Sequence, residues 1–143
     1  MFNGIIYNTG CIHSINKTRK SLFIGIESKL RFNPRDIGSS ICCDGVCLTL
    51  VNIKKNISYF YISNETLIRS NFKLLKKKQI INLEKSIFYG QKISGHFIQG
   101  HVDSVAKIQK IKIIGKTWII SFLMLNKSLT KYLMEKASIS ING

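Results

Sequence analysis

The chain has 143 residues, 45% of them hydrophobic, which is enough to bury a core and excludes a disordered protein. Its net charge is +15, but lysine outnumbers arginine 18 to 4 and only Lys76, Lys77 and Lys78 form a run, so nucleic acid is not expected as a partner. No apolar run approaches the roughly 20 residues of a membrane helix and no leader-like segment is evident, so we expect a cytoplasmic protein without a membrane partner.

Short stretches rich in β-branched and aromatic residues alternate with Gly, Asn, Asp and Ser clusters, a pattern typical of an all-β fold. The predicted strands are Gly4–Ile12, Ser21–Glu27, Ser39–Cys43, Val46–Ile53, Ser58–Ser63 and Gln79–Glu84. The dipeptide Asp44-Gly45 between two of them predicts a tight hairpin turn. Helix is predicted only for Glu65–Ser70 and for Ser128–Glu135, where Ser128 is the expected N-cap.

The four cysteines all lie in the first third of the chain: Cys11, Cys42, Cys43 and Cys47. They lack CxxC spacing and the histidines that a zinc site would add, so no metal is expected. Cys42 and Cys43 are adjacent in a predicted strand, so their side chains should point to opposite faces. We expect free, mostly buried thiols.

The chain resembles itself at an offset of nearly one hundred residues. Residues 1–6 match residues 97–102, which places Gly4 against Gly100, and residues 40–45 match residues 138–143, which places Gly45 against Gly143. Two matches at nearly one offset predict a duplicated domain of roughly 95 residues. The second copy then stops at its turn, so we expect a chain truncated within its second barrel, with a degraded gene as the alternative.

Six motifs that span the chain carry a family resemblance. In chain order they are MFNGII at 1–6, DGVCLTL at 44–50, NETL at 64–67, INLE at 81–84, SGHFIQGHVD at 94–103 and KASISING at 136–143. Together they resemble the α chain of riboflavin synthase. The departures are modest: Asn3 stands for Thr, Cys42-Cys43 for a smaller pair, and Ser94 and Ala137 each for Gly. Ala137 would be harmful only where the backbone needs a positive φ.

The resemblance implies two similar six-stranded Greek-key barrels, the second incomplete here, and a homotrimer for the full-length protein. The expected domains are a first barrel at 1–90, a linker at 91–96 and part of a second barrel at 97–143. It also implies a reaction in which two molecules of 6,7-dimethyl-8-ribityllumazine give riboflavin and 5-amino-6-ribitylaminouracil. The substrate carries its own activation, so no cofactor or metal is expected, and the protein mainly positions two ligands face to face.

The candidate site residues combine this resemblance with the chemistry of each side chain. Cys47 and Thr49 share the face of a predicted strand opposite to Leu48 and Leu50, so they can offer a thiol and a hydroxyl to a ligand. Cys47 could act as a nucleophile or as a contact only. His101 is the candidate proton acceptor, although a lone histidine is usually structural.

Gly4 and Gly100 allow the backbone to approach a flat heterocycle, with a tight bend as the alternative reading. The full set of expected substrate-binding residues is Gly4, Ile5, Ile6, Cys47, Leu48, Thr49, Tyr61, Ile62, Ser63, Asn64, Glu65, Thr66, Gly100, His101, Val102 and Lys136. The expected catalytic residues are Cys47 and His101.

Two other function classes compete with the enzyme. The same double barrel also serves as a non-catalytic flavin or lumazine binder in bioluminescence, and the presence of both Cys47 and His101 favours the enzyme over it. A nucleic-acid-binding β-barrel rests only on charge and strand content, with no basic helix or aromatic platform beside them.

Overall fold

The computed structural model describes residues 1–143 and contains one closed barrel and one separate two-stranded sheet. The barrel strands are β1 (Asn8–Lys17), β2 (Leu22–Ser28), β3 (Ser40–Cys43), β4 (Val46–Lys54), β5 (Ile57–Ile62) and β6 (Ile80–Lys85). They pair antiparallel in the order β1-β2-β5-β4-β3-β6, and β6 closes on β1. Strands β3 to β5 follow one another as neighbours and β6 returns beside β3, which is the Greek-key order. The all-β barrel prediction is confirmed.

The barrel interior is filled by one cluster of buried aliphatic and aromatic side chains. Strand β4 illustrates the alternation that builds it: Val46, Leu48 and Leu50 are buried, whereas Cys47 is half-buried and Thr49 is exposed. Full burial of one such apolar side chain contributes about 2 kcal/mol, so each inward row of the barrel stabilises the fold substantially. The predicted division of β4 into a core face and an outer face is therefore confirmed.

Five of the six barrel strands lie within one residue of their predicted bounds, and the first does not. Strand β1 runs from Asn8 to Lys17 rather than over Gly4–Ile12, and a bulge between Ile12 and Ser14 carries it onward along β2. The first residues leave the ladder because Gly4 has a φ of 70° and Phe2 pairs with Ile98 instead. The N-terminal segment therefore lies outside the barrel wall.

The helical segments are short. Helix α1 covers Asn64–Arg69 and is capped by Ser63, in agreement with the predicted turn of helix. Single 3₁₀ turns occur at Pro34–Asp36 and Phe72–Leu74. None of the helices is long and apolar enough to cross a membrane.

The second predicted helix is present but shorter, and its predicted cap is wrong. The chain forms a 3₁₀ helix over Lys127–Tyr132, whereas the prediction was a helix over Ser128–Glu135. Asn126 is the N-cap, because its side-chain oxygen accepts hydrogen bonds from both the amide (3.1 Å) and the hydroxyl (2.7 Å) of Ser128. Ser128 therefore donates hydrogen bonds to the N-cap residue and is not the N-cap itself.

Contacts divide the chain into two compact units, Met1–Val102 with Ser138–Gly143, and Asp103–Ala137. The second unit holds a hairpin of β7 (Ala106–Ile114) and β8 (Thr117–Met124), and neither strand was predicted. Its bulge between Ile108 and Lys110 stands at the repeat equivalent of the bulge in β1, which supports the internal duplication. The domain bounds 1–90, 91–96 and 97–143 stay a prediction.

Repeat equivalents contact each other directly within the first unit. Phe2 and its equivalent Ile98 exchange two backbone hydrogen bonds, of 2.8 and 3.0 Å. Gly45 packs against its equivalent Gly143, and a Cβ added to Gly45 would lie 2.9 Å from the Gly143 nitrogen. At both places a repeat segment thus lies against its own equivalent.

The hairpin turn between β3 and β4 places an acid in a partly buried position. Asp44 (φ 44°) and Gly45 (φ 84°) both adopt the left-handed conformation, as a type I′ turn demands. The Asp44 carboxylate accepts a 2.7 Å hydrogen bond from the Asn82 amide, yet burial raises the pKa of Asp44 above its ordinary value of 3.8. An ionised Asp44 therefore opposes folding.

We expect Asp44→Asn to raise the thermal midpoint by a few degrees near pH 7. Asn142 occupies the equivalent turn at φ 53°, and an amide oxygen can still accept the Asn82 hydrogen bond. Because the folded pKa is raised, stability falls as pH rises from 3.8 through the folded pKa, and the variant avoids that loss. Its advantage should disappear near pH 3, where Asp44 is neutral in both states.

The exposed Asp103→Asn is the control for loss of one charge. Thermal unfolding at both pH values measures the effect. An advantage of Asp44→Asn that persists unchanged at low pH would contradict the burial argument.

Candidate functional site

A row of three side chains crosses the outer face of the barrel on neighbouring strands. Cys47 on β4 is the register partner of Cys42 on β3, and Cys42 is the partner of Glu84 on β6. The row faces outward, because Cys43, the sequence neighbour of Cys42, belongs to the core cluster and Cys42 does not. The predicted opposite orientation of Cys42 and Cys43 is thereby confirmed.

This outer face is covered by segments of the same chain rather than by solvent. Cys42 is only 1% exposed and Glu84 only 9%. Phe2, which is completely buried, also lies outside the barrel core. The covering segments are residues 1–4 and 95–100, so the face forms a second, smaller packing layer beside the barrel.

Gly100 closes directly onto Cys47. The Cys47 amide donates a 2.8 Å hydrogen bond to the Gly100 carbonyl oxygen, and Gly100 has a φ of 76°. A Cβ at Gly100 would lie 2.8 Å from Cys47 Cβ and 3.1 Å from Phe2 Cε2. The space that this glycine leaves is therefore used by the protein itself, together with the bend that the positive φ produces.

The N-terminal segment is held in place mainly through its backbone. The amides of Asn3 and Gly4 donate to the two carboxylate oxygens of Glu84, at 2.5 and 3.0 Å. The Asn3 carbonyl accepts from the His96 amide at 3.0 Å. A Cβ at Gly4 would lie 3.0 Å from Ile98 Cγ1, so this glycine also allows a close approach within the chain.

The closed barrel has a gap in its β4–β5 pairing beside Cys47 and Thr49, and this gap is called the open edge below. The β4–β5 ladder ends at the pair Leu50–Phe60, whereas β5 continues along β2 as far as Ile62. Antiparallel register therefore places the start of β4 opposite the residues that follow β5. The two segments face each other there without forming a ladder.

The segment across this edge is ordered by side-chain hydroxyls. Ser63 Oγ accepts from the Thr66 amide at 3.3 Å and lies 3.1 Å from Thr66 Oγ1. Glu65 pairs with Arg69 at 2.5 Å on the exposed side of α1. Hydroxyl groups of Thr49, Ser63 and Thr66 therefore lie near the same barrel edge as the Cys47 thiol.

The predicted site residues lie in different surroundings. The structure brings Cys47 and Gly100 into contact and anchors Gly4 on the same outer face. The side chains of Leu48 and Ile62 are buried in the barrel core, so only their backbones remain available to a ligand. Tyr61, Asn64 and His101 are exposed, whereas Val102 packs against the core.

Lys136 is an exposed residue of the second unit and adopts a left-handed φ of 61°. Ala137 has no positive φ, so the Gly-to-Ala departure carries no backbone strain. The role of Lys136 as a ligand contact stays a prediction.

The four thiols are free, as expected. Burial raises the pKa of the Cys42 thiol to about 12, with the nearby Glu84 carboxylate raising it further against the hydrogen bond from the Gly45 backbone. Burial also raises the pKa of Cys43 well above its ordinary value. Both residues therefore remain neutral thiols at physiological pH, and Cys42 serves as an uncharged neighbour of Cys47.

No role was predicted for Glu84 or Phe2. Glu84 follows Leu83 on a strand, in a chain with only seven acidic residues, and an acidic residue next to a core-facing leucine was the available signal. An open groove of about 420 Å³ lies elsewhere, lined by Met1, Ile93 and residues 87–91. None of the predicted site residues lines it.

Comparison with known proteins places the chain among lumazine-binding proteins. The lumazine binding domain family matches residues 3–86. Riboflavin synthases of Photobacterium phosphoreum, Bacillus subtilis and Chlamydia trachomatis are each 33% identical to the whole chain, which spans 66%, 66% and 69% of their lengths. The chain thus covers about two-thirds of these relatives.

Solved structures of LumP share the fold. The complex with 6,7-dimethyl-8-(1'-D-ribityl) lumazine has a TM-score of 0.79 at 24% identity, over 99% of this chain and 76% of that one. The complex with riboflavin has a TM-score of 0.69 at 24% identity, over 84% of this chain and 65% of that one. With the matches in sequence, these likenesses confirm the resemblance seen in the motifs: the chain belongs to the riboflavin synthase family and carries a lumazine-binding domain.

Proposed function

We propose that this chain acts in riboflavin synthesis. Its substrate is 6,7-dimethyl-8-ribityllumazine, and two such molecules exchange a four-carbon unit to give riboflavin and 5-amino-6-ribitylaminouracil. The main observation behind this proposal is the 33% identity to riboflavin synthases over the whole chain. The outer-face arrangement around Cys47 supports it, because Gly100 of a second motif contacts Cys47 there.

The proposed ligand site is the open edge between the start of β4 and the start of α1. Thr49, Ser63 and Thr66 offer hydroxyls that suit a ribityl chain, since each hydroxyl can both donate and accept hydrogen bonds. Cys47 offers a polarisable thiol beside the ring. Backbone groups from Gly4 to Ile6 and from Tyr61 to Glu65 complete the contacts, and no cofactor or metal is part of the proposal.

The proposed chemistry depends on positioning two lumazines face to face. The C7 methyl of one molecule is acidic and C7 of the other is electrophilic. The protein therefore accelerates the reaction mainly by holding the pair in reacting geometry, which corresponds to an effective molarity of about 10⁵ M or more. His101 is the proposed proton acceptor, and its exposed position leaves it accessible to a ligand. Lys136 is a proposed contact of the second repeat.

Assembly and location belong to the same proposal. We infer a homotrimer for a version that carries both complete barrels and a cytoplasmic location, on the strength of family membership. A second candidate function is non-catalytic lumazine or flavin binding, which the likeness to LumP supports. Binding without turnover in every version of the protein would favour that candidate.

We expect the 143-residue chain to bind riboflavin with a Kd tighter than about 100 μM, or more than about 5 kcal/mol. The reason is that every first-repeat motif is present and the first barrel is closed. Quenching of riboflavin fluorescence measures it, with a salt titration to exclude charge-driven binding. A folded sample that shows no saturable quenching would count against the assignment.

We expect the Cys47→Ser variant to bind riboflavin as the wild type does. In a longer version of the protein that forms riboflavin, we expect the same substitution to lower kcat at least about tenfold. Serine preserves size and hydrogen bonding but is a far weaker nucleophile. Cys11→Ser is the control, since Cys11 is a second free and half-buried thiol, on β1. Equal loss of affinity and rate would instead make Cys47 a contact residue only.

We expect riboflavin formation from lumazine by a version extended with the remaining third of a relative, and none by the 143 residues alone. The second repeat contributes only β7 and β8 here, so the equivalents of Cys47 and Thr49 are not among these residues. One complete pocket cannot hold both the donor and the acceptor. Comparable turnover by both versions would contradict the requirement for two pockets in one chain. It would indicate instead that two first barrels pair to hold the two lumazines.

A further inference from the structure

Glu84 is a buried carboxylate that none of the sequence motifs explains by its chemistry. It lies on β6, is 9% exposed, and takes part in neither of the two ion pairs of the structure. Its neighbours on the strand, Leu83 and Ile81, face the barrel core, whereas Glu84 lies on the covered outer face. A carboxylate in such a place is costly unless hydrogen bonds compensate its charge.

The compensation comes from two successive backbone amides. Oε1 of Glu84 accepts from the Asn3 amide at 2.5 Å and Oε2 accepts from the Gly4 amide at 3.0 Å. Successive N–H groups that converge on one anion form a concave anion site in the backbone, and the φ of 70° at Gly4 belongs to such a conformation. Hydrogen bonds to an ionised acceptor are roughly twice as strong as neutral ones.

The two bonds join distant parts of the chain. The amides belong to the first residues, whereas the carboxylate belongs to the last strand of the barrel. Residues 1–4 contribute no strand to the barrel, and the segment is also held by the Phe2–Ile98 bridge and by hydrogen bonds from the Ile87 amide to the Met1 carbonyl (2.9 Å) and from the His96 amide to the Asn3 carbonyl (3.0 Å). The two bonds to Glu84 are the ones that tie its Asn3 and Gly4 amides to a barrel strand. Loss of the carboxylate should therefore loosen the segment at Asn3 and Gly4 without opening the barrel.

Glu84 also connects to the thiol row. It is the cross-strand partner of Cys42, which is in turn the partner of Cys47. The residues immediately after its two amides are Ile5 and Ile6, which belong to the proposed ligand-binding segment. The carboxylate thus fixes one wall of the proposed site relative to the strand that carries Cys47.

We propose that Glu84 is a positioning residue for ligand binding. Its carboxylate clamps the Asn3 and Gly4 amides onto β6 and so holds Gly4, Ile5 and Ile6 in their ligand-binding arrangement. Glu84 acts through the backbone and does not touch the reacting atoms, so it is not a catalytic residue. The inference rests on the proposed function, because it specifies how the same site is kept in shape.

Two substitutions separate the charge from the shape of the side chain. In Glu84→Gln one carboxylate oxygen is replaced by an amide nitrogen, which donates and cannot accept the second N–H. Glu84→Asp keeps the charge and both acceptor oxygens on a shorter stem. The control is Glu135→Gln, which removes one exposed acid from the other unit and leaves the clamp intact.

The experiment uses the 143-residue chain with riboflavin as the probe. Fluorescence titration gives Kd, and amide hydrogen exchange followed by NMR gives the protection of Asn3 and Gly4 alongside core amides such as Ile24 and Phe60. We expect Glu84→Gln to weaken riboflavin binding at least about tenfold and to speed exchange at Asn3 and Gly4, with the core amides unchanged. Glu84→Asp should recover part of the affinity, and Glu135→Gln should match the wild type.

Three results would overturn the clamp. One is faster exchange at Asn3 and Gly4 in Glu84→Gln with wild-type affinity, which would make the clamp irrelevant to binding. Another is unchanged exchange at both amides. The third is a general loss of protection that includes Ile24 and Phe60, which would make Glu84 a residue of global stability. Failure of the wild type to bind riboflavin contradicts the proposed function itself, and is distinguished by the first titration.

Discussion

The backbone hydrogen bond from Cys47 to Gly100 is the contact on which the candidate site depends. It occurs at the start of β4, where the strand pairs with β3 on one side and has no ladder with β5 on the other. Only a residue without a side chain can approach the strand so closely there. The chain at Gly100 is therefore anchored beside the residue that the motifs identify as most important for ligand chemistry.

The outer face of the barrel combines this contact with an unusual distribution of polarity. A neutral thiol at Cys42 separates the half-buried Cys47 from the buried carboxylate of Glu84, and two backbone amides compensate the charge of that carboxylate. The net charge of +15 has no part in this arrangement, because the lysines lie on exposed positions. Specific backbone geometry, rather than overall electrostatics, shapes the site.

Much of the first barrel could be predicted from the sequence because alternation of apolar and polar residues is strong there. In β4, the alternation of Val46, Leu48 and Leu50 with Cys47 and Thr49 predicts both the strand and its two faces. The start of β1 could not be predicted, since the apolar residues Ile5 and Ile6 continue the strand pattern while Gly4 turns the backbone away. The hairpin of the second unit was missed because Lys and Ile mix in β7 without a clear period.

The residues of the candidate site could be predicted better than their arrangement in space. Motifs and face alternation identified Cys47, Thr49 and Gly100, but the closing of Gly100 onto Cys47 is a tertiary contact that no local pattern specifies. Glu84 was missed for the same reason, since its partners are backbone amides, which carry no sequence signature. Alternation placed Leu48 on the core face, whereas the burial of the Ile62 side chain was not predicted.

The most direct test of the account is to locate bound riboflavin on the chain by backbone NMR. Shifts on titration should concentrate at Gly4 to Ile6, at Cys47 and Thr49, and from Ser63 to Thr66, with smaller changes on the far side of the barrel. Saturable binding whose shifts fall instead on the groove formed by Met1 and residues 87–91 would contradict the account, because the ligand would then bind away from the barrel edge beside Cys47.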